Sequence, residues 1–205
     1  MNTTAIIVRA DRLYSPYRGE IEGGFTGKGV VVGVMDIGFD LTHPNFYDRT
    51  ATTYRIGAFW DQLSKDTVGS TLPVGRDFTG HDFVRAQLHS ADGLIQTHGT
   101  HTLGIAAGSG YDSPYQGIAP EAAICLVSNA VSDDIALIDS ADIEKYTSAT
   151  DALGFKYIFD FADREGKPCV ASFSEGYPPL LDQEDSLYAA FLDSLAGPGR
   201  IIVAS

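Results

Sequence analysis

The stretch Gly29-Val30-Val31-Val32-Gly33-Val34-Met35, followed directly by Asp36-Ile37-Gly38, decides how this chain is read. Its first seven residues are apolar or glycine with no polar alternation, which suits a β-strand covered on both faces. Four more short runs have the same character: YRIGAFW (Tyr54 to Trp60), AAICLVS (Ala122 to Ser128), CVASFS (Cys169 to Ser174) and RIIVAS (Arg200 to Ser205). Helical spacing lies between them. Ala149, Leu153, Tyr157 and Phe161 mark one face, stopped by Gly166-Lys167-Pro168. Leu187, Ala190, Phe191, Ser194 and Leu195 mark another, stopped by Gly197-Pro198-Gly199. A third helix is predicted from near Thr97 through HGTHTLGIAAG, where Gly104, Ala106, Ala107 and Gly108 permit close packing. Strands alternating with helices predict an α/β fold, a doubly wound parallel sheet with helices on both faces.

The chain has 205 residues, a length that suits one domain. With 14 Lys+Arg against 27 Asp+Glu and a net charge of −13, its field repels nucleic acid and anionic membrane, so neither is expected as a partner. No apolar run is long enough to cross a membrane, and the first twenty residues lack the apolar stretch of a signal peptide. Cys125 and Cys169 sit in strand-like runs and read as buried, inert thiols, with a disulfide between neighbouring strands as the alternative. Residues 61–96 hold Gly69, Pro73, Gly75, Gly80 and Gly93 among mixed polar residues and read as an insertion or a long surface loop. The last apolar run reaches residue 205 with no turn or cap behind it, which predicts a domain cut on its C-terminal side. Its terminal strand would then offer an unpaired edge to a second copy of the chain.

In a doubly wound sheet, ligands bind beyond the carboxyl ends of the strands, where Asp36 is expected to stand. Its alternative reading is a turn or helix-cap residue. Thr97-His98-Gly99-Thr100-His101 opens the third helix, His98 lying 62 positions beyond Asp36 (98 minus 36). A histidine there acts as a general base when a carboxylate fixes its tautomer and stabilises the imidazolium, and Asp36 is the candidate carboxylate. Two alternatives remain at this level. His98 and His101, three apart, would share a zinc ion, although the motif holds no acidic third ligand; His101 alone reads as a core residue. Asp36 and Asp40 would serve phosphoryl transfer, although Gly38 stands where a second acid is wanted.

These motifs carry a resemblance. GKGVVVGVMDIGFDLTHPNF (Gly27 to Phe46) resembles the aspartate motif of the subtilisin-like serine peptidases, the subtilases, and HGTHTLGIAAG resembles their histidine motif. GIAPEAAICLV (Gly117 to Val127) is similar to the strand that follows the histidine helix in that family, and FSEGYP (Phe173 to Pro178) contains its Ser-x-Gly substrate-binding pattern. The resemblance implies a subtilisin-like fold, of which residues 1–205 are the N-terminal portion of one catalytic domain, and peptide-bond hydrolysis as the family activity. Asp36 would orient His98, the general base and acid. Ser174 and Gly176 would offer backbone groups to an extended polypeptide substrate, with Glu175 facing the groove or standing as a solvated charge. Gly99 and Thr100 would shape the start of the histidine helix. An extracytoplasmic location is implied in the same way.

Departures from the family pattern define the alternative. No Gly-Thr-Ser-Met-Ala stretch, which carries the family's nucleophile, occurs in the chain, and RIIVAS ends just short of where the oxyanion asparagine is expected. The chain by itself is therefore expected not to cleave peptides. Ile37 replaces the hydroxyl residue usual after the aspartate, and Thr97 stands where glycine commonly precedes the histidine. YRIGAFWDQ (Tyr54 to Gln62) resembles a segment of the clostridial spore-germination branch, which includes inactive members, so a non-catalytic peptide-binding protein is the competing expectation. No cofactor is assigned. Calcium, held by many subtilases, is considered at Asn45 and the acidic surface but not assigned, since no Asp-rich loop of calcium spacing is visible.

Overall fold

The computed structural model describes residues 24–94, 96–174 and 183–204. Six strands form one sheet. They are β1 (Val31–Asp36), β2 (Ile56–Asp61), β3 (Arg76–Thr79), β4 (Ala123–Ser128), β5 (Cys169–Phe173) and β6 (Arg200–Ala204), in the order β3-β2-β4-β1-β5-β6. All pairings are parallel except β2 with β3. The helices are α1 (His81–Arg85), α2 (His98–Ala107), α3 (Ser148–Glu165) and α4 (Gln183–Leu195).

β1 sits near the middle of the sheet, paired with β4 on one side and β5 on the other, and every one of its residues is buried. That is why the run contains no alternation: both faces are covered. On one face α3 packs Phe155, Ile158, Phe159 and Ala162 against Val31, Met35, Trp60, Cys125 and Val127. On the other face Leu103 and Ala107 of α2 join Val32, Val34, Ile56, Phe59, Ile124 and Leu126. Each fully buried branched or aromatic side chain contributes about 1.5–3 kcal/mol, so these two layers supply the main driving force for folding. Gly33 is needed for close approach, since a Cβ there would lie 2.2 Å from Cγ2 of Ile158 on α3.

The predicted helices form, with two changes. α3 opens on Thr147, whose N–H donates to Oγ1 of Thr150, and closes on Gly166 in the left-handed conformation (φ +65°), where the turn signal places its end. α4 docks beside α3 through Tyr188, Leu192 and Leu195, one position round from the predicted face; Leu187 is 72% exposed. On α2, His101 is exposed rather than in the core, because Gly99, Leu103 and Ala107 already occupy the face that meets the sheet.

Residues 61–96, read as an insertion or long loop, carry an antiparallel edge strand, β3, and the short helix α1. Cys125 and Cys169 are buried free thiols, and desolvation raises the pKa of both, Cys169 to about 12. The alternative disulfide does not form.

At the opposite end of the sheet from the C-terminal rim, Arg55 is buried beneath the loop that follows β1. Its guanidinium donates to four main-chain carbonyls: Tyr47 at 2.9 Å, Ala122 at 3.1 Å, Asn45 at 2.7 Å and Ala107 at 2.5 Å. Burial lowers its pKa only to about 10, so it stays charged at neutral pH and caps the negative end of α2 through Ala107.

Candidate active site

Side chains alternate along a strand, so Asp36 shares its face with Val32 and Val34, which pack beneath α2. The carboxylate therefore emerges under the first turn of that helix. There Nδ1 of His98 lies 2.6 Å from Oδ1 of Asp36. Asp36 is 5% exposed, whereas the imidazole is half exposed. A carboxylate can only accept, so Nδ1 carries the proton and Nε2 is left as the basic nitrogen.

The backbone holds this pair closely. The N–H of Ile37 donates to Oδ1 of Asp36 at 2.7 Å. The N–H groups of Gly99 and Thr100 donate to the carbonyls of Ile37 and Gly38 at 2.6 and 3.0 Å, so the unsatisfied donors of the helix start are used to fasten α2 to the loop after β1. Oγ1 of Thr100 donates to the carbonyl of Gly38 and accepts from the N–H of Asp40, each at 2.8 Å. Gly38 has φ +74°, and a Cβ there would lie 1.9 Å from the Gln96 carbonyl oxygen. The Asp36-Ile37-Gly38 turn and the segment entering His98 thus touch through a position that admits no side chain.

Of the other sequence candidates, Ser174 lies one residue past β5 at the same rim and is exposed. Glu175 and Gly176 lie outside the described residues. Asp40 is a turn residue whose Oδ1 accepts from the N–H and hydroxyl of Thr42. Among the described residues no three His, Cys, Asp or Glu side chains are grouped to hold a metal, which leaves the shared-zinc reading without a third ligand. The residues at Asn45 do not fit a calcium ion: its Oδ1 accepts from the N–H of Tyr111, and its carbonyl already faces the Arg55 guanidinium.

Sequence reasoning missed a row of polar groups beside the dyad. Across neighbouring strands, Asp36 pairs in register with Ser128 and Ser128 with Asp61, and all three are buried on the face that carries α2. Asp61 accepts from the N–H of Leu63 at 3.1 Å and from that of Ala91 at 2.8 Å, and burial raises its pKa to about 7. Next to it, buried Gln62 accepts from the N–H of Ala130 at 3.1 Å and its own carbonyl accepts from the Tyr146 hydroxyl at 2.8 Å. Gln62 also lines a cavity of about 220 Å³ with Val131, Ile135 and Ile143. The only trace of these groups in the sequence is that two polar residues end an otherwise apolar strand.

Comparison with known proteins agrees with this geometry. Residues 27–180 match the model of the subtilase family. The subtilisin-like protease SBT2.1 of Arabidopsis thaliana is 34% identical over 107 residues, 43% of this chain and 12% of that protein. PopC, a subtilisin-like protease of Myxococcus xanthus, is 28% identical over 158 residues, 76% of this chain and 26% of that one. The fold is that of the CspB protease of Clostridium perfringens (TM-score 0.65, 21% identity, covering 96% of this chain and 39% of that one) and of sphericase (TM-score 0.52, 20% identity, covering 95% and 50%). The chain spans about an eighth to a quarter of the length of these two curated relatives. With the family match over most of its length and an aspartate and a histidine joined at the rim of the matching fold, this chain belongs to the subtilase family.

Proposed function

We propose that the chain supplies the aspartate and histidine of a serine endopeptidase that hydrolyses polypeptides. The observation that carries this reading is the 2.6 Å contact between His98 and the buried Asp36 at the C-terminal rim of the sheet. In the reaction a serine hydroxyl gives its proton to Nε2 of His98 as its oxygen attacks the scissile carbonyl. Asp36 stays ionised and stabilises the imidazolium, which then returns the proton to the leaving amine. Water, deprotonated by the same nitrogen, releases the acyl group. No Gly-Thr-Ser-Met-Ala stretch occurs in the 205 residues, so on this reading the nucleophile comes from outside them and these residues alone would not cleave peptides. Ser174, Glu175 and Gly176 would pair with substrate as an added strand. An extracytoplasmic location goes with the family; among the described residues no helix is long and apolar enough to cross a membrane.

One observation favours a second reading, a non-catalytic peptide-binding protein. Oδ2 of Asp36 is buried with no hydrogen-bond partner among the described residues, and Ile37 supplies no hydroxyl nearby. A fluorophosphonate separates the two. Labelling of the longest natural form of the protein, lost in His98→Ala, supports the peptidase; absence of labelling on folded protein that still retains peptides supports the binding reading.

A further inference from the structure

We propose that Asp61 and Asp92 form a buried carboxylate brace that positions the His98–Asp36 pair, Asp61 acting as a positioning residue whose ionisation is felt at the imidazole. The inference rests on the reading of Asp36 and His98 as the working pair. Two segments flank that pair: residues 37–41, which leave Asp36, and residues 88–94 with 96–97, which precede His98. They are laced together. Ser90 donates its N–H to the carbonyl of Phe39 at 3.0 Å and accepts the N–H of Phe39 on its hydroxyl oxygen at 2.8 Å. That hydroxyl donates to Oδ1 of Asp92 at 2.6 Å. The N–H of Leu41 donates to the carbonyl of Leu88 at 2.9 Å, and Gly38 abuts the Gln96 carbonyl.

Asp61 anchors this lacing to the sheet. It ends β2, two strands from Asp36 in the same row, and its Oδ2 takes the N–H of Ala91, the residue between Ser90 and Asp92. Asp61 is 4% exposed and Asp92 6%, so two buried carboxylates hold the adjacent loop residues Ser90 and Ala91 from within the protein. No step of peptide hydrolysis requires either of them.

Burial raises the pKa of Asp61, and the negative charge of Asp92 adds to the rise. With its proton on, one of its two N–H bonds ends on a hydroxyl oxygen; with the proton off, both end on a carboxylate and strengthen, while repulsion from Asp92 grows. The loop into His98 therefore has two electrostatic states close to neutral pH. The other groups facing Asp61 are His89 in the same loop and Tyr146 ahead of α3. Arg76 stands opposite on β3 with its guanidinium paired to Asp66, and Asp134 faces Asp92.

The test is a pH titration by nuclear magnetic resonance of the longest natural form of the protein labelled with ¹⁵N, following the Ala91 amide and the His98 ring nitrogens. The expected result is an Ala91 inflection near neutrality and a second inflection of the His98 ring at the same midpoint, beyond its own. Exchange of the Ala91 amide proton should change about fivefold across it, the difference between a neutral and a charge-assisted hydrogen bond. Asp61→Asn should remove the shared inflection, and Asp92→Asn should move it to lower pH. If Asp61→Asn does not fold, the native titration decides alone. An Ala91 inflection that leaves His98 with a single step overturns the brace while leaving the peptidase reading intact. A native His98 ring with no bonded Nδ1 proton overturns the pair itself, and the brace with it.

Discussion

A methyl group at Gly38 has nowhere to go: the backbone is left-handed and the Gln96 carbonyl is 1.9 Å from where the methyl carbon would sit. Gly38→Ala is expected to cost about 2–4 kcal/mol from backbone strain and displacement of the loop. Its activity loss should exceed its stability loss, since the displaced segment carries His98; thermal melts beside fluorophosphonate labelling measure the two. Asp36→Asn keeps the volume but presents an amide to Nδ1 and favours the wrong tautomer. Turnover of the active protein should fall by about 10⁴ with little change in KM. An unchanged rate would remove Asp36 from the reaction. The meeting of Asp36 and His98 was legible in the sequence because each ends or begins a strongly patterned element. Asp61 was not, because a polar residue at a strand end is usually only the first residue of a turn, and what distinguishes this one is its bond to Ala91, thirty positions away.

Among the elements, β1 and α2 could be read from letters alone since their burial follows from their own composition. β3 could not. Only Phe78 of its four residues is buried, and the strand exists because β2 offers it a free edge. The face of α4 was read one position off because Leu187 and Phe191 fit a helical stripe equally with Tyr188 and Leu192, and the docking of α3 chooses between them. Arg55 illustrates the same limit: within YRIGAFW it reads as an interruption, whereas its four carbonyl partners come from residues 45, 47, 107 and 122. Arg55→Met should destabilise by about 3–5 kcal/mol by orphaning those carbonyls, and Arg55→Lys should recover less than half, because a single ammonium cannot span them. Urea unfolding of the three proteins checks this. A Lys variant equal to the native protein would mean that charge alone matters there.

For the molecule as a whole, Asp61 links stability to pH. Its pKa is about 7 when folded against 3.8 as the reference value, so between these the native state holds a proton that the unfolded chain has released. Stability contributed by that proton is fully present below pH 3.8 and is lost as pH rises towards 7, with a slope of at most about 1.4 kcal/mol per unit. Subtracting the pH profile of Asp61→Asn from that of the native protein isolates this slope; a flat difference would show that Asp61 ionises normally. At the sheet's outer edge, Ile201 and Val203 of β6 are more than half exposed and pair with no further strand among the described residues. Light scattering should find concentration-dependent dimers that Ile201→Lys abolishes, and a monomer at every concentration would refute edge pairing.

The place of β1 in the sheet also governs how the chain reaches its shape. Val31 lies between Ala123 and Cys169, so this fully buried strand meets neither neighbour until most of the polypeptide has been gathered around it. Closing such large loops comes before any reward from the contacts they bring, which slows renaturation to milliseconds, seconds or beyond, on the order seen for topologies of distant pairing. The position of Asp36, at the end of that strand, is consequently fixed only once its neighbours have joined the sheet.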